Sequence, residues 1–240
     1  MSHPKRLLAG GVFVALGAAL LWPALSTRHD ATALAAATKT TSTSAKQAAL
    51  PTTPVAVPKG RQVATFAAGC FWSMEAIFKQ LKGVDSATPG YAGGRVVKPS
   101  YEQVETATTG HAEALRIVFD PKVISYADLL DVLLTVRNPT TLNKQGPDEG
   151  PQYRSVIFYH NEAQRVAANE AIRKTGAARI WKGKIVTPVT PFANFYTAED
   201  YHFDYYNQHP DQPYCKGVIA PEIEEFHAKF KSKLKVQPKA

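Results

Sequence analysis

The hydrophobic and polar positions of this chain follow two periodicities, and each predicts one kind of element. Apolar side chains at three- and four-residue spacing predict helices that begin after Gly69, at Ser125 and at Asn161. Contiguous apolar runs predict strands over residues 63–67 and 155–160. The two kinds of segment alternate irregularly, and the sequence shows neither an internal repeat nor a glycine-rich phosphate-binding loop.

A further strand is predicted from Glu113, where side chains alternate between two faces. Leu115, Ile117 and Phe119 share one face of this strand, and by parity Glu113 shares it too. A carboxyl group at the edge of an apolar face is partly desolvated, which disfavours its charged form and would keep it protonated, as a general acid requires. Parity alone nevertheless favours the simpler interpretation, a solvated glutamate at the end of a strand.

Two other segments carry signals of turns and caps. Residues 88–94 contain three glycines, so we expect a turn or an irregular loop there rather than an ordinary strand. Thr197 and Asp200 have the spacing of a capping box, which predicts a helix over residues 201–207.

The amino-terminal part of the chain differs in composition from the rest. Lys5 and Arg6 precede an uncharged run of 19 residues, 7–25, which lies between the length of a signal-peptide core and the ~20 residues that span a bilayer. We therefore predict a signal peptide or an N-terminal membrane anchor at residues 1–25. Residues 26–59, rich in Ala, Thr, Ser and Pro, predict a disordered linker.

This organisation predicts that the domain over residues 60–240 is exported. The basic residues before the apolar run favour a cytoplasmic amino terminus, which sends the following chain across the membrane. We therefore expect a periplasmic or other extracytoplasmic location, with or without an anchor.

Charge and histidine spacing exclude two classes of function. The net charge is +8, but residues 1–59 carry +5 of it, so only about +3 belongs to the rest. No Lys- and Arg-rich stripe is interleaved with aromatic residues, and we expect no nucleic-acid partner. The seven histidines and two cysteines show no H-x-x-x-H or C-x-x-C spacing, so we expect no metal site.

Cys70 is the first candidate for chemistry, because it falls where a helix is predicted to begin. Backbone N–H groups and the positive end of the helix dipole favour a thiolate at such a position. Phe71 and Trp72, directly beside it, would provide an apolar wall for a substrate. The alternative from this stretch alone is a buried cysteine packed among core aromatics.

Cys215 is the only other cysteine, and we expect it in a mobile loop before a charged terminal helix that starts at Pro221. It would either form a permanent structural disulfide with Cys70, as is common in exported proteins, or move towards Cys70 during a catalytic cycle. A third possibility is a cysteine hydrolase in which Cys70 acts with a histidine base such as His202.

Six short motifs occur in the order found in the peptide methionine sulfoxide reductase A family. The motifs are Gly69-Cys70-Phe71-Trp72, Gly90-Tyr91-Ala92-Gly93-Gly94, Pro99-Ser100-Tyr101, Gly110-His111-Ala112-Glu113, Gln145-Gly146-Pro147-Asp148-Glu149-Gly150-Pro151-Gln152-Tyr153-Arg154-Ser155, and Ala198-Glu199-Asp200-Tyr201-His202. Each motif alone is weak, but all six together are very specific. Over about residues 62–228 the chain therefore resembles this family.

The resemblance implies both a fold and an activity. The expected fold is α+β, a single compact domain with a central mixed β-sheet flanked by helices. The expected activity is that of an oxidoreductase that reduces the S epimer of methionine sulfoxide, free or in proteins, to methionine. We expect no bound cofactor, a thioredoxin-like reductant as partner, and a monomer.

The resemblance also implies catalytic roles. Cys70 would attack the sulfoxide sulfur, Glu113 would donate a proton to the oxygen, and Tyr101 and Tyr153 would hydrogen-bond that oxygen. Attack would leave Cys70 as a sulfenic acid, with which a second thiol can condense to form a disulfide. Cys215 matches the position of this resolving cysteine.

Three further residues would bind the substrate. Phe71 and Trp72 match the pocket for the methyl group, and Asp148 matches a residue that helps position the substrate.

Three features depart from the family pattern. Ser73 stands in place of a common glycine, Arg137-Asn138 stands in place of His-Asp, and only one candidate resolving cysteine is present. We expect none of them to touch a residue with a chemical role.

Overall fold

The computed structural model of the protein describes residues 57–235. The predicted signal peptide or anchor at 1–25, and all but the last three residues of the predicted linker, lie outside the described residues. Within the described range, no helix combines the length and the apolar character that crossing a membrane requires.

A six-stranded mixed β-sheet and a small two-stranded hairpin contain all strands of the described range. The strands are β1 (Gln62–Ala67), β2 (Val84–Ala92), β3 (Ala112–Phe119), β4 (Lys144–Gln145), β5 (Asp148–Glu149), β6 (Val156–Tyr159), β7 (Val189–Pro191) and β8 (Phe195–Thr197). The main sheet has the order β7-β6-β1-β3-β2-β8, and β4 pairs with β5. Only β6 and β7 pair in parallel, so the sheet is mixed, as predicted.

Six α-helices surround the sheet within the same range. They are α1 (Phe71–Phe78), α2 (Tyr101–Glu105), α3 (Tyr126–Val136), α4 (Glu162–Ala178), α5 (Tyr205–Gln208) and α6 (Ala220–Phe230). Ser125 and Asp128 form the predicted capping box of α3, and Asn161 caps α4 through the backbone N–H of Gln164. The apolar sides of α1, α3 and α6 share one core with the sheet.

Strand β3 lies at the centre of this core and is buried along its whole length. It begins one residue before the predicted start, pairs with β1 on one side and with β2 on the other, and places Glu113 opposite Tyr91. Leu115 and Ile117 enter the large core, whereas Ala112 and Ala114 enter a second apolar cluster. The alternation predicted from the sequence is therefore confirmed.

The loop predicted over residues 88–94 is wrong, because strand β2 continues to Ala92. A Cβ atom on Gly90 would collide with the Phe195 ring and the Tyr196 carbonyl oxygen of β8. Because Gly90 has no side chain, β2 and β8 can approach each other closely, which is a second structural role of glycine besides turn formation. The irregular backbone begins only at Gly93, where φ is +78°.

The helix predicted over residues 201–207 is also wrong. Thr197 ends β8, a single 3₁₀ turn covers Asp200–His202, and Asp204 has a left-handed backbone (φ +54°) before α5 begins. The Asp204 N–H donates to Glu75 Oε2 at 2.8 Å. This contact with α1 overrides the local capping signal, which carries no information about distant partners.

Candidate active site

Cys70 stands at the N-cap of α1, directly after Gly69, whose φ of +77° turns the chain from β1 into the helix. The backbone N–H groups of Trp72 and Ser73 face its sulfur and lower the pKa of the thiol. Burial, followed by the charge of Glu113, acts more strongly in the opposite direction and holds this pKa well above its ordinary value. Our expectation that the helix terminus favours a thiolate is therefore wrong for this structure, and the alternative of a buried cysteine describes its surroundings correctly.

Glu113 lies opposite the start of α1 and is only 2% exposed. One carboxyl oxygen accepts the Phe71 N–H at 2.9 Å, which favours the charged form. Burial has a larger effect than this bond and raises the pKa of Glu113 well above its ordinary value. The negative charges of Glu105 and Asp148 raise it further. The interpretation of Glu113 as a solvated strand end is wrong, and burial favours the protonated form of its carboxyl group.

Tyr101 and Tyr153 are both brought to Glu113 by the fold. Burial, followed by the charge of Glu113, raises the pKa of each phenol, so both hydroxyls keep their protons and can donate hydrogen bonds. The Tyr153 hydroxyl donates to Glu105, at 3.2 Å and 3.1 Å from the two carboxyl oxygens. Tyr101 opens α2, where the Ser100 capping box fixes the first turn.

Phe71 and Trp72 form part of an aromatic wall beside Cys70. Trp72 stacks on Tyr205 with ring centroids 3.7 Å apart, and its indole N–H donates to His202 Nδ1 at 3.1 Å. The His202 ring packs against the Phe71 ring at 4.9 Å, and burial lowers its pKa. His202 therefore holds Trp72 in place, and its Nδ1 is already occupied, which argues against the hydrolase alternative.

Asp148 reaches the same space from the β4–β5 hairpin and meets Tyr214. The Tyr214 hydroxyl donates to Asp148 Oδ2 at 2.6 Å and also lies within hydrogen-bonding range of the Cys70 sulfur. Burial raises the pKa of Asp148, while this bond and the positive charge of Arg137 lower it. Arg137, one of the departures from the family pattern, therefore acts on a substrate-binding candidate through its charge.

Cys215 is not in a loop. It begins a π-helical segment, Cys215–Ile219, that runs directly into α6, and its exposed fraction is 0%. Its side chain belongs to the large core together with Ile223 and Phe226. Cys70 and Cys215 are both free thiols, so the permanent disulfide is not the arrangement observed.

The sequence analysis missed two residues of this site. Tyr214 precedes the candidate resolving cysteine, but no periodicity indicates that it turns towards Cys70. Glu199 accepts the Tyr91 hydroxyl at 2.7 Å and the Tyr101 N–H at 2.8 Å, and thus helps to place Tyr101. Glu199 lies inside the motif 198–202, and this position was the sequence signal that could have identified it.

The fold and the site together define a class of protein, a thiol-based enzyme. A cysteine at a helix start lies beside a buried carboxyl group, two phenols and an aromatic wall. Among residues 57–235, no three His, Cys, Asp or Glu side chains are placed to hold a metal ion.

Comparison with known proteins identifies the family. The family model described as peptide methionine sulfoxide reductase matches residues 62–234, so the chain belongs to that family. It is 51% identical over 175 residues to the peptide methionine sulfoxide reductase MsrA of Saccharolobus solfataricus, which covers 73% of this chain and 98% of that protein. It is 50% identical over 174 residues to a protein of the same name from Thermus thermophilus, with coverage of 72% and 98%.

Solved structures confirm the α+β architecture. The reduced form of Mxr1 from Saccharomyces cerevisiae matches with a TM-score of 0.64 at 34% identity, covering 70% of this chain and 96% of that one. Methionine sulfoxide reductase A of Corynebacterium diphtheriae matches with a TM-score of 0.57 at 29% identity, with coverage of 64% and 77%.

Proposed function

We propose that this protein reduces the S epimer of methionine sulfoxide, free or in proteins, to methionine with Cys70 as the nucleophile. The observation that carries the proposal is the buried pair of Cys70 and Glu113, in which burial raises the pKa of the carboxyl group and favours the protonated form that a general acid needs. A sulfoxide oxygen placed between Glu113 and the phenols of Tyr101 and Tyr153 would meet Glu113 and the Tyr101 hydroxyl as donors, and the Tyr153 hydroxyl once it turns away from Glu105.

The first step transfers the sulfoxide oxygen to Cys70. Glu113 gives its proton to that oxygen while the Cys70 sulfur attacks the substrate sulfur, and the thiol proton of Cys70 restores the carboxyl group. The hydroxyl group then passes to the Cys70 sulfur as the substrate sulfur–oxygen bond and the transient sulfur–sulfur bond break. The substrate sulfur is reduced by two electrons and leaves as methionine, while Cys70 is oxidised by two electrons to a sulfenic acid. Phe71 and Trp72 hold the methyl group, and Asp148 orients the substrate.

The second step resolves the sulfenic acid. A sulfur–sulfur bond forms between Cys70 and Cys215, the sulfur–oxygen bond of Cys70 breaks, and the Cys215 proton leaves with the hydroxide as water. A thioredoxin-like dithiol then reduces the disulfide by exchange and becomes oxidised itself. These steps use no bound cofactor.

We also propose that the protein performs this repair outside the cytoplasm. The support is the sequence of residues 1–25, in which basic residues precede a long uncharged run. The reductant would then be an exported thioredoxin-like protein.

A single-turnover experiment tests the proposed activity. Pre-reduced protein is mixed with S- or R-methionine sulfoxide, and methionine and free thiols are measured over time. We expect methionine from the S epimer only, with two thiols lost per turnover, and no methionine from Cys70→Ser. Methionine with one thiol lost would contradict the role of Cys215, and an absence of methionine from the unchanged protein would refute the activity.

A further inference from the structure

Two of the residues that depart from the family pattern meet in one buried cluster. Arg137, 3% exposed, donates to the Ala68 carbonyl at 2.8 Å and to the Ser73 hydroxyl at 3.0 Å. It also forms an ion pair with Glu222, to which the Ser73 hydroxyl donates as well. We call Ser73, Arg137 and Glu222 the Arg137 cluster.

This cluster joins the two parts of the chain that carry the cysteines. Ala68 lies two residues before Cys70, and a Cβ atom on Gly69 would lie 2.6 Å from Arg137 Nη2, so the guanidinium packs on the turn that presents the nucleophile. Glu222 lies in the first turn of α6, the helix that continues from the Cys215 segment.

Disulfide formation requires two neighbouring side chains to exchange places. The Tyr214 hydroxyl lies within hydrogen-bonding range of the Cys70 sulfur, whereas the Cys215 side chain belongs to the large core and is fully buried. In the proposed second step Cys215 leaves the core and takes the place of Tyr214 beside Cys70. The segment Cys215–Ile219 is π-helical. Because π-helical turns are rare and often lie at functional sites, we expect the backbone to rearrange within this segment.

We propose that the Arg137 cluster is an anchor that fixes the start of α6 to the Cys70 turn, so that the exchange of Tyr214 for Cys215 stays confined to residues 213–219. The inference rests on the proposed function. A fixed helix keeps Cys215 at a short tether from Cys70 throughout the rearrangement, and a short tether keeps the effective concentration of the resolving thiol high.

A purely structural role would have a different signature. Burying an ion pair is weak evidence that the pair stabilises a fold, because desolvation offsets the attraction. If the cluster anchors α6 for the resolving step, its loss slows disulfide formation and leaves the rate of methionine formation unchanged. Ser73, Arg137 and Glu222 are positioning residues in this scheme, since their side chains bond to one another and to the Ala68 carbonyl and not to the reacting atoms.

The test separates the two steps in the full-length protein. Pre-reduced protein reacts with S-methionine sulfoxide in a rapid-quench experiment that follows methionine and the disulfide, and a 1,3-diketone traps the sulfenic acid. The variants are Ser73→Ala, which leaves every charge in place, and Glu222→Gln. The control is Glu224→Gln, the same change at an exposed position of α6.

We expect methionine formation to change less than about twofold in both variants, while disulfide formation slows on the order of tenfold and trapped sulfenic acid accumulates. Glu224→Gln should match the unchanged protein in both rates. Unaltered disulfide formation in both variants would overturn the anchor and leave the reductase intact. Slower methionine formation without slower disulfide formation would also overturn it, because the cluster would then act on Cys70. A protein that forms no methionine would instead refute the proposed function.

Discussion

Cys70 and Glu113 are two acids in one buried space, and the ionisation of Glu113 affects that of Cys70. Burial is the largest cause of both raised pKa values, and the charge of ionised Glu113 raises that of Cys70 further. A protonated Glu113 adds no such repulsion, so the state in which it can act as an acid is also the state in which Cys70 ionises most easily. The proton of Glu113 and the nucleophile are thereby coupled.

The substitution Glu113→Gln tests this residue. Glutamine keeps the size and can still accept the Phe71 N–H, but it has no proton to give. We expect methionine formation in a single turnover to slow on the order of 100-fold or more. The rate of the unchanged protein should also fall at high pH as Glu113 ionises, and the variant should lack this fall. Glu162→Gln, at an exposed position of α4, is the control, and an unchanged rate for Glu113→Gln would remove the general acid from the mechanism.

Glu113→Gln should lower the rate of methionine formation but raise the stability of the fold near neutral pH. The folded-state pKa of Glu113 is raised, so its neutral form stabilises the fold fully below the ordinary carboxyl pKa. That contribution is lost as the pH rises through the folded-state value, at about 1.4 kcal/mol per unit of pKa difference. We therefore expect the unfolding midpoint of Glu113→Gln to exceed that of the unchanged protein increasingly as the pH rises from acid to neutral. A difference that does not depend on pH would show that the folded and unfolded states share the same Glu113 pKa, and would contradict the raised value.

At the scale of elements, the segment that carries Cys215 joins structure to the reaction cycle. It is helical, its Cys215 side chain is buried, and the proposed exchange requires it to rearrange before the disulfide can form. Each interaction that stabilises its helical form therefore opposes the second step. Gly217, which is exposed within the π-helical turn, weakens that form because glycine is a poor helix former.

Gly217→Ala should slow disulfide formation. A Cβ atom at Gly217 meets nothing within 4 Å, so the change adds helix propensity without a collision. A gain of about 1 kcal/mol in the helical form corresponds to roughly a fivefold slower resolving step, with methionine formation unaltered. Gly176→Ala, at an exposed position of α4, is the matched control, because α4 does not take part in the exchange. Equal rates for the two variants would indicate that the segment does not unwind.

At the scale of the whole molecule, the candidate site lies entirely within residues 57–235, and the family match covers 62–234. The proposed role of residues 1–25 is delivery across a membrane.

Removal of residues 1–59 should therefore change location and leave chemistry intact. We expect the full chain in the extracytoplasmic fraction of cells and the shortened chain in the cytoplasm, with equal rates of methionine formation from the two purified proteins. A cytoplasmic enzyme serves as the fractionation marker. Cytoplasmic recovery of the full chain would contradict the export proposal without affecting the proposed activity.

The sequence by itself determined the candidate residues of the proposed chemical step and most of the core elements. The N-cap position of Cys70, the parity of Glu113 and the capping box of α3 are local patterns, and a local pattern specifies which face of an element a side chain occupies. The order of the six motifs identified the family, because their joint occurrence is specific even though each is weak.

Tertiary structure alone decided the properties that depend on distant groups. The raised pKa of Cys70 arises from burial and from Glu113 on another strand, which the helix dipole at its own position does not reveal. Strand β2 includes Gly90, where the Phe195 ring packs too closely for a side chain. The Asp204 N–H donates to Glu75 on α1, and the helix predicted over residues 201–207 does not form as one element. Burial, ion pairing and close approach arise between segments far apart in the chain, and periodicity within one segment does not encode them.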